Sequence, residues 1–237
     1  MVRKRKIETT EQATMEQTNM PTAEAVKAAL RQLRVLPTGT GDFKLPMSVD
    51  EAEQYIRGAF EAQVELRGGI VQYDEMTTKN LRLVAETLAG DSHKFGLLLA
   101  GTCGNGKTTT LRAVQSVVML LNSTYYNPRG QRVANRLLEA KEITQLSEKD
   151  GQLTVYQTIP LLFLDDLGRE PTEVMRYGNV TSPITELLEY RYNQRLTTIV
   201  TTNLEPSEIR EKYGDRIADR FNEMFAVVSY TGNSYRR

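Results

Sequence analysis

The chain has 237 residues, 40% apolar and 25% charged, with 30 Lys and Arg against 30 Asp and Glu. That length suits one folded domain with an appendage and excludes two full-sized domains. Zero net charge excludes a polycation, so any nucleic-acid contact has to come from a local patch.

One Cys (Cys103), one His (His93) and no Trp remove whole classes of chemistry. A zinc finger or ribbon needs about four Cys or His ligands. Every Ser-His-Asp or Cys-His triad would have to use His93. An intrachain disulfide is impossible, which fits a reducing, cytoplasmic setting. No apolar run approaches the roughly eighteen residues of a membrane span, and no signal-peptide stretch opens the chain, so no membrane partner is expected.

Residues 1–20 open with Arg3-Lys4-Arg5-Lys6 and hold too few apolar side chains to form a core. They read as a disordered basic and polar tail, its tetrad first a solvated charged end and second a contact for DNA or an acidic partner. Thr22 can N-cap a helix over 23–35, with Val26, Leu30 and Leu33 on one stripe. Pro37-Thr38-Gly39-Thr40-Gly41 then breaks the chain. Ser48 and Glu51 form a capping box for a second helix, with Ala52, Ile56, Ala59 and Phe60 on its apolar face and Gly68-Gly69 closing it. These helices either pack on the main domain or form an adaptor. The Gly/Pro break tilts the reading to a helical adaptor region over 21–70, ahead of a catalytic domain over 71–237.

From Thr77 the apolar pattern becomes denser. Leu81, Val84, Ala85 and Leu88 predict a helix closed by Gly90. Phe95 to Ala100 is fully apolar, as in a parallel strand buried on both faces. A helix over 107–121, a strand near 131–136 and a polar helix to about Lys149 follow. Further strands are expected over 161–164, 197–201 and 225–229. A helix starts at Ser182-Pro183, with Ser182 as N-cap and Pro183 at the first helical position. Strands alternating with helices predict an α/β fold with a parallel sheet flanked by helices.

Gly101-Thr102-Cys103-Gly104-Asn105-Gly106-Lys107-Thr108 matches the phosphate-loop pattern between an apolar strand and a helix start. Gly104 and Gly106 let the backbone curl so that N–H groups point at phosphate oxygens, and the next helix adds its N-terminal partial charge. Lys107 is expected to reach the β- and γ-phosphates of ATP, and Thr108 to ligate Mg²⁺. With Thr109 this stretch forms the expected nucleotide-binding set. Cys103 fits by its small size rather than its thiol chemistry.

Leu161-Leu162-Phe163-Leu164-Asp165-Asp166 is an apolar strand ending in two acids. Asp165 is expected to hold Mg²⁺ at the sheet's carboxyl end, and Asp166 to polarise the attacking water. Asn203, at the end of a β-branched strand, could hydrogen-bond the γ-phosphate or that water. Arg216 and Arg220, four apart in Gly214 to Phe221, share a helix face. Such cations can stabilise charge at a neighbour's phosphate. The same pattern also describes a surface helix with Asp–Arg pairs.

Phosphate loop, LLFLDDLG, TTIVTTNL and GDRIADRF, in that order, resemble the AAA+ ATPases, and within them DnaC-type helicase loaders and IstB-like transposition ATPases. The resemblance covers roughly Leu81 to Arg237. It implies a P-loop AAA+ core with Gly101–Thr108 as Walker A, Asp165 and Asp166 as Walker B and Asn203 as sensor 1. It makes Arg220 the first candidate for the arginine finger and Arg216 the second. The short stretch after Arg220 leaves no room for a C-terminal helical lid, as in the loader group. Met1 to Leu66 carries no motif of that group. Some loaders hold a zinc-binding domain there, which this composition forbids.

The resemblance implies a Mg²⁺-dependent ATPase of DNA replication that loads or remodels a replicative helicase on single-stranded DNA as a homo-oligomer. The alternative is an IstB-like regulator of transposition, whose partner is a transposase. Arg129, Arg132 and Arg136 with Tyr125 and Tyr126 could line a DNA path or form a solvated loop. A small-molecule kinase is disfavoured because the acid pair and the late arginines suit water as acceptor and a neighbouring subunit as activator. A scaffold that binds ATP with little turnover is the remaining reading.

Overall fold

A computed structural model describes residues 43–121, 135–148, 152–176, 179–231 and 235. The tail over 1–20, the helix expected over 23–35, and Tyr125, Tyr126, Arg129 and Arg132 lie outside these residues.

Five parallel strands form one sheet: β1 (Gly96–Gly101), β2 (Asn135–Glu139), β3 (Leu161–Leu167), β6 (Thr197–Thr202) and β7 (Phe225–Tyr230). Their spatial order is β2-β3-β6-β1-β7. The apolar runs explain the arrangement. Leu97 and Leu99 face one layer and Leu98 the other, all at most 5% exposed, so β1 is buried on both faces as a central parallel strand must be. The expected α/β fold with a helix-flanked parallel sheet is thus observed.

Helices α1 (Val49–Glu65), α2 (Glu75–Ala89) and α3 (Lys107–Leu121) cover the first face. The second face is packed by α6 (Pro183–Asn193), α7 (Pro206–Tyr213) and α8 (Asp215–Met224). Two short helices, α4 (Ile143–Glu148) and α5 (Gln152–Thr158), follow β2 where one polar helix was expected. The strand expected near 131–136 is found at Asn135–Glu139. Helix α7 and an antiparallel pair, β4 (Val174–Arg176) with β5 (Asn179–Thr181), complete the fold; neither was anticipated.

The capping box at Ser48 and Glu51 forms as predicted, with Glu51 N–H donating to Ser48 Oγ at 3.3 Å and Ser48 N–H to Glu51 Oε2 at 2.9 Å. Ser182 caps differently from the expectation. Its hydroxyl makes no bond to the helix backbone and instead donates to Thr172 O at 2.8 Å, tying α6 to the preceding loop.

The boundary drawn near residue 70 moves. Ala52, Ile56 and Phe60 of α1 lie in the same core cluster as Leu111 and Val114 of α3. Gln63 Nε2 donates to Ser116 Oγ at 3.3 Å and Arg67 Nη1 to Thr109 Oγ1 at 3.0 Å. The compact unit containing the sheet runs over Gly39–Arg237. The apolar stripe of α1 is consumed by the body, so the adaptor reading does not hold for this helix. The Gly68-Gly69 turn redirects the chain without separating two cores.

Strand β6 shows how a Thr-rich segment can be fully buried. Thr197 Oγ1 accepts Phe43 N–H, Thr198 Oγ1 accepts Arg191 Nε, and Thr202 Oγ1 donates to Leu167 O, each at 2.8 Å. Each hydroxyl has a partner, which removes the cost of burying it.

Candidate active site

The phosphate loop follows β1 directly, where backbone geometry demands glycine. Gly101 has φ +141°, and a Cβ there would stand 2.0 Å from Tyr230 O. Gly104 and Gly106 both have φ +90°, the left-handed region that glycine enters without steric penalty. The resulting curl leads into α3, whose N-terminus begins at Lys107. Lys107 is 5% exposed, and its Nζ donates back across the loop to Gly101 O at 2.8 Å and Thr102 O at 2.6 Å. Asn105 braces the loop through Nδ2 to Thr102 Oγ1 at 2.7 Å and Tyr230 O at 3.2 Å. Cys103 is exposed on the loop, and Thr109, buried in the first turn of α3, accepts from Arg67.

Thr108, at the start of α3, and Asp165, on β3, come together. Thr108 Oγ1 donates to Asp165 Oδ1 at 3.0 Å. The same carboxylate oxygen accepts Thr201 Oγ1 at 2.6 Å. Asp166 N–H donates to Thr201 Oγ1 at 2.8 Å. Asp166 itself has φ +57°, a left-handed conformation unusual for a residue other than glycine, and the Thr201 bond helps hold it there. Its Oδ2 pairs with Arg169 Nη1 at 3.0 Å. Asn203 follows the last residue of β6, half-buried, near the same end of the sheet.

Thr201, Arg169 and Tyr235 were not foreseen. Thr201 is one of four Thr in a buried strand, and a buried hydroxyl always asks for a partner; that was the available signal. Tyr235 N–H donates to Gly104 O at 3.1 Å, while its hydroxyl bonds the carboxylate of Asp74, the N-cap of α2. No local pattern predicts that contact.

The two arginines are brought together on α8 but differ in setting. Both reach Glu189 Oε1, Arg216 through Nε at 3.2 Å and Arg220 through Nη1 at 2.7 Å. Arg220 is 15% exposed and lies over the Tyr192 ring at 5.0 Å, whereas Arg216 is 72% exposed. Arg136 is exposed on edge strand β2.

The donor set fits a nucleotide with Mg²⁺: a glycine-built backbone cradle, one lysine, and a hydroxyl beside a carboxylate, all hard oxygen or cationic groups. Fold and site together define an α/β protein whose parallel sheet carries a phosphate loop at its carboxyl end.

Over 118 residues the chain is 30% identical to the replicative helicase loader DnaI of Bacillus subtilis, a match covering 50% of this chain and 36% of that protein. A crystal structure of DnaI has the same fold, with a TM-score of 0.53 at 24% identity over 76% of this chain and 93% of the other. The crystal structure of the DnaC helicase loader aligns at a TM-score of 0.48 and 22% identity, over 68% and 93% respectively. No family model matches the chain. The chain is similar to the helicase-loader group, as its motifs implied. Among the described residues no helix is long and apolar enough to cross a membrane.

Proposed function

We propose that this protein binds ATP with Mg²⁺ and hydrolyses it in an oligomer, as a DNA-replication ATPase that loads or remodels a replicative helicase on single-stranded DNA. The Thr108–Asp165–Thr201 network carries the catalytic half of this reading. It joins the phosphate loop, β3 and β6 at one point at the carboxyl end of the sheet, where open α/β sheets bind ligands. The similarity to DnaI supports the replication half.

In this scheme the Lys107 ammonium leaves the loop carbonyls for the phosphates. Thr108 and Asp165 would hold Mg²⁺, which would neutralise phosphate charge. The Asp166 carboxylate orients water, and Arg169 fixes that carboxylate's direction. Asn203 donates toward the γ-phosphate or the water. Exposed Arg216 is better placed than Arg220 to reach a neighbour's phosphate, and Arg220 holds its helix against Glu189 and Tyr192.

Nucleotide binding and Mg²⁺-dependent hydrolysis of purified variants test the site. Lys107→Ala is expected to lose ATP binding, and Asp165→Ala to keep its fold while losing hydrolysis. Wild-type ATP affinity in the first, or full turnover in the second, would overturn the assignment. Pull-down with a replicative helicase tests the client; capture of a transposase instead would favour the transposition reading.

A further inference from the structure

Glu170 sits just past the Asp166 turn, and its side chain is fully buried. Burying a carboxylate is costly unless every oxygen finds a donor. Here Oε2 accepts Gly168 N–H at 2.9 Å, and Oε1 accepts the Tyr213 hydroxyl. Lys212 Nζ stands 3.7 Å from Oε1 and donates to the carbonyls of Gly168 and Glu170, each at 2.7 Å. Burial and the Glu170 charge push the Tyr213 phenol far above its ordinary pKa, so its hydroxyl stays a donor. Gly168 has φ +109°, and a Cβ there would come within 2.8 Å of Leu204 Cδ1. The last two residues of α7 therefore grip the turn that leaves Asp166.

The same two residues border the arginine helix. Gly214, with φ +85°, follows Tyr213 and leads into α8, which carries Arg216 and Arg220. Arg210 of α7 pairs with Asp215 and, at 3.1 Å, with Asp219 of α8. The backbone carries Asp166 on to Gly168, hydrogen bonds join Gly168 through Glu170 to Tyr213, and Gly214 leads from Tyr213 into α8.

We propose that Glu170 is a positioning residue that couples the Asp166 turn to the arginine-bearing helix. Through it, occupancy of a subunit's own nucleotide site sets the placement of the arginines that the subunit offers its neighbour. The inference rests on the nucleotide-site reading above. Its physical basis is a buried, charge-assisted network between two rigid elements, and linkage makes the coupling reciprocal.

Amide hydrogen exchange with and without saturating Mg²⁺ and the non-hydrolysable analogue AMPPCP tests it without requiring turnover. In the wild type, nucleotide is expected to slow exchange several-fold in the phosphate loop, in 166–170 and in 215–224. Glu170→Ala is expected to keep phosphate-loop protection and lose the response in 215–224. Tyr213→Phe, which removes one hydroxyl and keeps the ring, is expected to weaken that response and serves if Glu170→Ala does not fold. An undiminished response at 215–224 in the variants overturns the coupling. So does a wild type that protects its phosphate loop and leaves 215–224 unchanged. A wild-type phosphate loop that gains no protection would instead overturn the nucleotide-site reading, and the coupling with it.

Discussion

Thr201 makes two bonds with one oxygen, donating to Asp165 and accepting from Asp166 N–H. That single hydroxyl fixes the direction of the carboxylate proposed for Mg²⁺ and the backbone of the acid proposed for water. Val in its place keeps the shape and leaves both groups short of a partner. We expect Thr201→Val to lose about 1–3 kcal/mol of stability, the usual cost of stranding a buried polar group. ATP affinity should change little and hydrolysis should fall clearly, as read by chemical denaturation and steady-state kinetics. Equal losses in affinity and turnover would mean that Thr201 only supports the fold. The sequence TTIVTT shows only a β-branched buried strand whose hydroxyls need partners; which partners they find is not legible locally.

At the scale of elements, one arginine joins three of them. Arg191 of α6 is fully buried and donates through Nη1 to Tyr156 O at 2.9 Å and Ile159 O at 2.8 Å, capping the C-terminal end of α5. Its Nε and Nη2 bond Thr198 Oγ1 at 2.8 Å and Thr197 O at 2.6 Å on β6. Burial lowers its pKa to about 9, which still leaves it charged at neutral pH. Arg191→Met removes all these donors at once. We expect a loss of about 3 kcal/mol or more, seen as a large fall in the denaturant midpoint. A change below about 1 kcal/mol would mean that water replaces the donors. Ser182-Pro183 predicted where α6 starts, and the structure adds that Ile184, Leu187 and Leu188 share its buried face. No local pattern marks Arg191 on that helix, and only its distant partners show its role.

For the whole molecule, the proposal requires subunits to meet at the nucleotide. ATPase rate per subunit is expected to rise with protein concentration and further with single-stranded DNA; a rate independent of both would mark a monomeric enzyme. The two arginines separate at this scale. Arg216→Ala is expected to keep stability and ATP affinity while losing turnover, and mixing it with Lys107→Ala should restore part of the rate. Arg220→Ala should also lower stability, because it strips a largely buried partner from Glu189 and Tyr192. Failure of the mixture to recover, with oligomers intact, would remove the intersubunit role.

The residues by themselves determined what depends on neighbours in sequence. Glycine spacing set the phosphate loop, apolar runs set the central strands, and the Ser48–Glu51 box set the start of α1, because each is a matter of local sterics, burial or capping. Composition also excluded chemistry: one Cys and one His cannot supply the ligands of a zinc finger or ribbon, nor an intrachain disulfide. Only the tertiary structure decided which distant groups meet. It buried α1 in the body instead of leaving it as an adaptor, placed Thr201 between two acids, exposed Arg216 while covering Arg220, and tied Glu170 to Tyr213. Each of these is a side-chain contact across many residues, settled by how the layers pack and by the need of every buried polar atom for a partner.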